Sequence, residues 1–178
     1  DDYASHPVSK DALPLLQEAL TAVGKSDDFA AYLQKHKQAN PDNQGYEALE
    51  FEGAKNLYFS QQYAKAITNL VSFLREYPSS PNAREAKFLL AESYFRTNQF
   101  DSAIPLYTEL GNDPAFTDAS RVAGRLSEIH FRNKQYQKAI PQFRKLERLA
   151  TNKREQFNAW SGLMESYYNT GNYDSADV

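Results

Sequence analysis

Glu92, Glu128 and Glu165 recur at steps of 36 and 37 residues, and an aromatic follows each by three: Phe95, Phe131 and Tyr168. Two carboxylates hydrolyse a glycosidic bond when they lie about 5–10 Å apart across it. One of them must also be kept protonated in a water-excluded setting. Glutamates on neighbouring packed helices stand roughly 10 Å apart, but a row of them at a constant step describes a surface and not a convergent site. His6, His36 and His130 are scattered, and no two share the i,i+4 spacing of a helical metal pair. The sequence has no cysteine, which removes thiol catalysis, disulfides and cysteine-based zinc sites. It also lacks a phosphate-cradling glycine loop and a G-x-S-x-G elbow. The expectation is a non-enzyme with no metal and no cofactor.

The elements that hold these residues obey the same step. SQQYAKAI (60–67), TNQFDSAI (97–104), NKQYQKAI (133–140) and TGNYDSAD (170–177) each read as a polar turn, an aromatic and an alanine three residues on. The aromatics Tyr63, Phe100, Tyr136 and Tyr173 stand 37, 36 and 37 residues apart. A period of 20–50 residues marks a repeat array, and such an array gives its function to a surface. Apolar residues at three- and four-residue spacing predict first helices over 47–59, 84–96, 120–132 and 157–169. Second helices are predicted over about 64–76, 101–111 and 137–149, with Ile67, Leu70, Val71 and Leu74 as a buried stripe.

Punctuation agrees with this division. Ser80–Pro81 places a cap before a proline, and Asn152 with Glu155 is a capping-box pattern. Pro78 and Pro114 stop second helices, whereas Pro105 and Pro141 fall inside them. Ala66, Ala103, Ala139 and Ala176 are small enough to let two helix axes approach. The predicted organisation is a loose tail at 1–8, a degenerate leading pair at 9–46, repeats at 47–83, 84–119 and 120–156, and a truncated repeat at 157–178. In the leading pair, helices at 9–23 and 27–39 put Phe29 at the turn-aromatic place, and a PDNQG turn follows at 41–45.

Net charge is −3 with both signs interspersed, so nucleic acid is not an expected partner. No apolar run approaches the roughly 18–20 residues that span a bilayer, so membrane insertion by this segment is not expected either. The chain begins at Asp1 and stops at Val178 within a repeat, and is expected to be a piece of a longer protein.

Trp160, Leu163, Tyr167, Tyr173 and Ala176 resemble the signature positions of the tetratricopeptide repeat. Leu57, Tyr63, Ala66, Leu70, Phe73 and Pro78 do so in the first repeat, and Leu90, Ala91, Tyr94, Phe100, Ala103, Tyr107 and Leu110 in the second. The resemblance covers about residues 47–178. Two positions depart from it: His130 replaces an aromatic, and Met164 stands where a small residue is usual. The resemblance implies an all-α, right-handed α-solenoid of antiparallel helix pairs. FEGAKNLYFSQQYAKAITNLVSFLREYP and AWSGLMESYYNTGNY further resemble repeat arrays of Bacteroidetes envelope proteins, which implies a periplasmic or outer-membrane-associated setting.

In that family the first helices line a concave groove. The resemblance puts Tyr58, Phe95, Phe131 and Tyr168 on it as an aromatic ladder, with Lys55, Glu92, Glu128 and Glu165 one turn earlier and Arg96 and Arg132 flanking. Aromatics with nearby arginine anchor interfaces, so the implied function is protein–protein scaffolding through that face. The three glutamates oppose the family's carboxylate-gripping subtype. A truncated last repeat would leave Trp160, Leu163 and Tyr167 adhesive, and concentration-dependent self-association is expected. A purely architectural spacer and a glycan- or peptidoglycan-binding module are the alternatives.

Overall fold

The computed structural model describes residues 9–40 and 45–173; the tail at 1–8, the turn at 41–44 and Ala176 lie outside the described residues. Among the described residues there are nine helices and no strand: α1 (Ser9–Ala22), α2 (Ser26–Ala39), α3 (Tyr46–Phe59), α4 (Tyr63–Glu76), α5 (Ala83–Arg96), α6 (Phe100–Asn112), α7 (Ala119–Arg132), α8 (Tyr136–Leu149) and α9 (Lys153–Asn169). Helices α3 to α8 begin within one residue of their expected starts. Helix α9 begins four residues early, and its cap explains why. Asn152 Oδ1 accepts from the Glu155 amide at 3.0 Å, and the Glu155 carboxylate accepts from the Thr151 amide at 3.0 Å. Two otherwise orphaned donors are satisfied there, so the helix starts at the cap rather than at the first apolar residue.

One backbone device repeats along the chain. Gln61, Asn98, Lys134 and Gly171 all have positive φ, at 61°, 57°, 57° and 73°. After each, the next amide reaches back five residues to a carbonyl: Gln62 to Leu57 at 2.9 Å, Gln99 to Tyr94 at 2.8 Å, Gln135 to His130 at 2.8 Å and Asn172 to Tyr167 at 3.0 Å. This is a Schellman ending, which satisfies the last carbonyls of one helix and reverses the chain into the next. The turn from α1 into α2 is the same, with Gly24 at φ 74° and the Lys25 amide 2.7 Å from the Leu20 carbonyl. Gly24 stands 37 residues before Gln61, so the leading pair keeps the step of the rest. That register puts Ser26 at the turn-aromatic place and Phe29 at the alanine place, three residues off the sequence-based alignment.

The chain divides into two compact units, 1–93 and 94–178. In the first, Leu13, Phe29, Leu33 and Tyr46 make the core of the leading pair, with Leu16, Leu20, Tyr32 and Leu49 at its margin. Between α3 and α4 the rings of Phe51 and Phe73 stand 5.5 Å apart. The buried stripe of α4 is Ala66, Leu70 and Phe73, while Val71 is exposed and Ile67 and Leu74 are half-buried. Ala66 at the helix crossing fixes which face points inward, and the expected stripe was rotated away from it. Lys37 ties α2 to α3 and to the end of α4. Its Nζ lies 2.6 Å from Glu50, 2.5 Å from Glu76 and 3.4 Å from the Tyr77 hydroxyl. His36 is buried beside it, with Nδ1 2.7 Å from the Tyr46 hydroxyl.

In the second unit Ala123, Ala139, Phe143, Leu146, Ala159, Leu163 and Tyr167 form one cluster, with Phe131 and Ile140 packed against it. Gly162 is required there: a Cβ on it would stand 2.2 Å from Phe143 Cζ. Met164 is exposed, so it leaves this close approach undisturbed. His130 does not take the core place expected of it. It is half-buried, and its Nδ1 lies 2.9 Å from Gln135 Oε1 across the turn. At the matching place of the next repeat, the buried Tyr167 accepts a 2.9 Å hydrogen bond from Arg144 Nε.

Candidate functional site

Each ladder aromatic is paired with the turn aromatic five residues after it. Ring centres are 5.7 Å apart for Tyr58 and Tyr63, 5.8 Å for Phe95 and Phe100, 5.4 Å for Phe131 and Tyr136, and 5.6 Å for Tyr168 and Tyr173. The pairs bracket the positive-φ residue and close the wedge where two helices join. The rings therefore carry a packing role in every repeat. Their accessibility differs: Phe95 is buried, Tyr58 and Phe131 are half-buried and Tyr168 is 65% exposed.

Of the ten expected site residues, Lys55, Tyr58 and Glu92 lie in the first unit and the other seven in the second. In the first unit, Lys55 Nζ lies 3.0 Å from Glu85 and 3.8 Å from Glu52, and 5.4 Å from the Phe51 ring centre. The hydrogen bond to Glu85 is the main reason its pKa is raised. Tyr58 packs edge-on against Phe59 as well as Tyr63. Glu92 is buried, 2% exposed, on α5. In the second unit, the Phe95 ring is covered by Arg125, whose guanidinium carbon sits 4.3 Å from its centre. Arg96 is exposed.

Glu128, Phe131 and Glu165 do come together, in a cleft of about 480 Å³ in the second unit. One wall is the face of α7 that carries Arg121, Gly124, Arg125 and Glu128. The other is the face of α9 that carries Glu155, Asn158, Ser161 and Glu165, and Phe143 and Leu146 of α8 make the floor. The helical period puts these residues on one stripe of each wall, at steps of three and four. Gly124 keeps its wall thin, since a Cβ there would meet nothing nearer than Leu146 at 3.8 Å.

Charge in the cleft is unevenly settled. Glu128 is paired twice, with Arg125 at 3.5 Å and Arg132 at 3.7 Å. Arg132 also lies 5.1 Å from the Phe100 ring centre and 3.5 Å from Asn98. The Glu155 carboxylate is engaged in the α9 cap. Glu165, at the place in α9 that Glu128 holds in α7, has no side-chain partner among the described residues. Arg125 and the glycines were absent from the sequence-based set. The repeat register could have found Arg125, which precedes Glu128 by three residues; nothing in the sequence alone shows that Gly124 and Gly162 face a gap and a ring.

This arrangement presents a mixed polar and apolar surface with hydrogen-bonding side chains to a solute, and a carboxylate, Glu165, that no described side chain pairs. Among the described residues no group of three or more histidine, aspartate or glutamate side chains could hold a metal ion, and no helix is long and apolar enough to cross a membrane.

Comparison with known proteins agrees on architecture. A tetratricopeptide repeat family model matches residues 51–115. No curated protein matches the sequence. Three solved MamA structures share the fold. MamA MSR-1 superposes with a TM-score of 0.65 at 14% identity, over 96% of this chain and 91% of that one. MamA AMB-1 gives 0.66 at 15% identity, over 99% and 88%. MamA from Desulfovibrio magneticus RS-1 gives 0.62 at 14% identity, over 93% and 88%. The fold is thus an all-α solenoid of antiparallel helix pairs of the tetratricopeptide type.

Proposed function

We propose that the cleft between α7 and α9 binds an extended segment of a partner protein, and that the chain is a non-catalytic interaction scaffold within a longer tetratricopeptide-type protein. The cleft itself carries this reading: an open floor of Phe143 and Leu146 between two helix walls, with a carboxylate at its edge that no described side chain pairs. Interfaces concentrate their energy where aromatic and charged groups surround such a floor. A random peptide library displayed on phage and selected on this chain tests it, with counter-selection on Gly124→Trp, which fills the cleft from α7. Peptides enriched on the native chain are expected to bind it in calorimetry and to fail on the folded variant. No enrichment, or equal binding to both, contradicts the proposal.

The resemblance to Bacteroidetes envelope repeats supports a periplasmic or outer-membrane-associated location, which fractionation of the source cells tests. Of the residues expected to be adhesive, Leu163 and Tyr167 are buried and Trp160 is 47% exposed; Phe157, Met164 and Tyr168, at 68%, 53% and 65%, share the side of α9 that carries Trp160. Apolar surface of that kind promotes association, so sedimentation velocity should show a larger species as concentration rises. Identical sedimentation at low and high concentration would count against it.

A further inference from the structure

The third and fourth repeats differ at one constellation. In the third, Arg125 lies over the Phe95 ring and pairs with Glu128, while Arg132 lies over the Phe100 ring and pairs with the same carboxylate. Two arginines of one repeat thus cover the two aromatics of the repeat before it and neutralise their own glutamate. At the corresponding places of the next repeat, 37 residues on for the charged positions and 36 for the rings, Glu128 becomes Glu165, and the covered aromatics become Phe131 and Tyr136. Arg125 becomes Gly162 and Arg132 becomes Asn169. The glutamate and the rings recur, and both arginines are gone. Among the described residues no cation lies over Phe131 or Tyr136 and none pairs with Glu165. Phe131 and Glu165 both line the cleft.

Resting on the groove reading above, we infer that the cleft is an arginine receptor: a partner segment inserts an arginine whose guanidinium lies over the Phe131 ring and pairs with Glu165. The chain supplies the template for this contact in Arg125, 4.3 Å from the Phe95 ring centre and 3.5 Å from Glu128. Guanidinium suits the place better than ammonium because its plane stacks on a ring while its edge offers paired donors to a carboxylate. Gly162 cannot carry the missing side chain itself, since its Cβ would strike Phe143.

The test is titration of the chain with N-acetyl-arginine amide, and separately with N-acetyl-lysine amide, followed by amide chemical shifts. The arginine compound is expected to move resonances of Phe131, Gly162 and Glu165, with the lysine compound weaker. Glu165→Gln should weaken arginine binding about tenfold. Asn169→Arg, which returns an intrachain arginine i,i+4 from Glu165, should abolish it. Shifts elsewhere, equal response to lysine, or indifference to Glu165→Gln overturn the inference. A library peptide that binds the native chain, fails on Gly124→Trp and ignores Glu165→Gln would overturn it while leaving the groove reading intact.

Discussion

Gly162 shows how much a single missing methyl decides in this molecule. The Phe143 ring occupies the space its Cβ would need, with three ring atoms 2.2–2.6 Å from that point. A rigid aromatic held in a packed core cannot give way by such a distance without moving a helix. Gly162→Ala should therefore lower stability by about 2–3 kcal/mol despite alanine's better helix propensity. Urea denaturation measures it, and an unchanged midpoint would show that α8 and α9 are not locked at this point. At the same scale the sequence was informative about identity and weak about exposure. It placed Glu128, Phe131 and Glu165 on one surface, which they share. It gave Phe95 the same standing, although Arg125 covers that ring and leaves it buried. Burial of an aromatic depends on what a residue 30 positions away does, and repeat spacing carries no record of that.

Elements were the most legible level. The period in the aromatics and alanines located three second helices and the first helices before them, because one turn design is reused. The design itself was hidden, since only Gly24 and Gly171 announce a left-handed residue and the other three turns use Gln61, Asn98 and Lys134. A side chain at positive φ is strained by its Cβ, which glycine lacks. Lys134→Gly should therefore stabilise the chain by about 0.5–1 kcal/mol, offset in part by the greater freedom glycine has when unfolded. A fall in the thermal midpoint of that variant would mean that the Lys134 side chain makes a contribution the turn geometry does not explain.

The tie at Lys37 belongs to the same scale, because it joins three helices of the first unit. Burial works against its charge, but the bonds from Glu50, Glu76 and Tyr77 outweigh burial and raise its pKa above the ordinary 10.5. Burial likewise pushes the Glu50 carboxyl up against the pull of Lys37. A lysine whose folded pKa is raised stabilises fully below its unfolded value and loses that contribution as pH climbs toward the folded one. Lys37→Met should cost about 1–2 kcal/mol at neutral pH. The difference from the native chain should hold steady up to the ordinary lysine value and shrink above it. A difference that is flat across that range would show that Lys37 acts through packing alone.

At the scale of the molecule, two units share one repeat design but not one surface chemistry. The first spends its charges internally, on the Lys37 tie and on Lys55 with Glu85. The second keeps a cleft with a glutamate, Glu165, that no described side chain pairs. That contrast locates the proposed recognition site in α7, α8 and α9, where a reading of the repeats alone had spread it evenly over four of them. The most direct check is site-specific photo-crosslinking in the source cells, with a photoreactive residue at Ser161 inside the cleft or at Thr108 on the exposed side of α6. A discrete protein adduct from position 161 that position 108 does not give is the result expected of a cleft that binds a partner segment. No adduct from 161, or the same adducts from both positions, would contradict it.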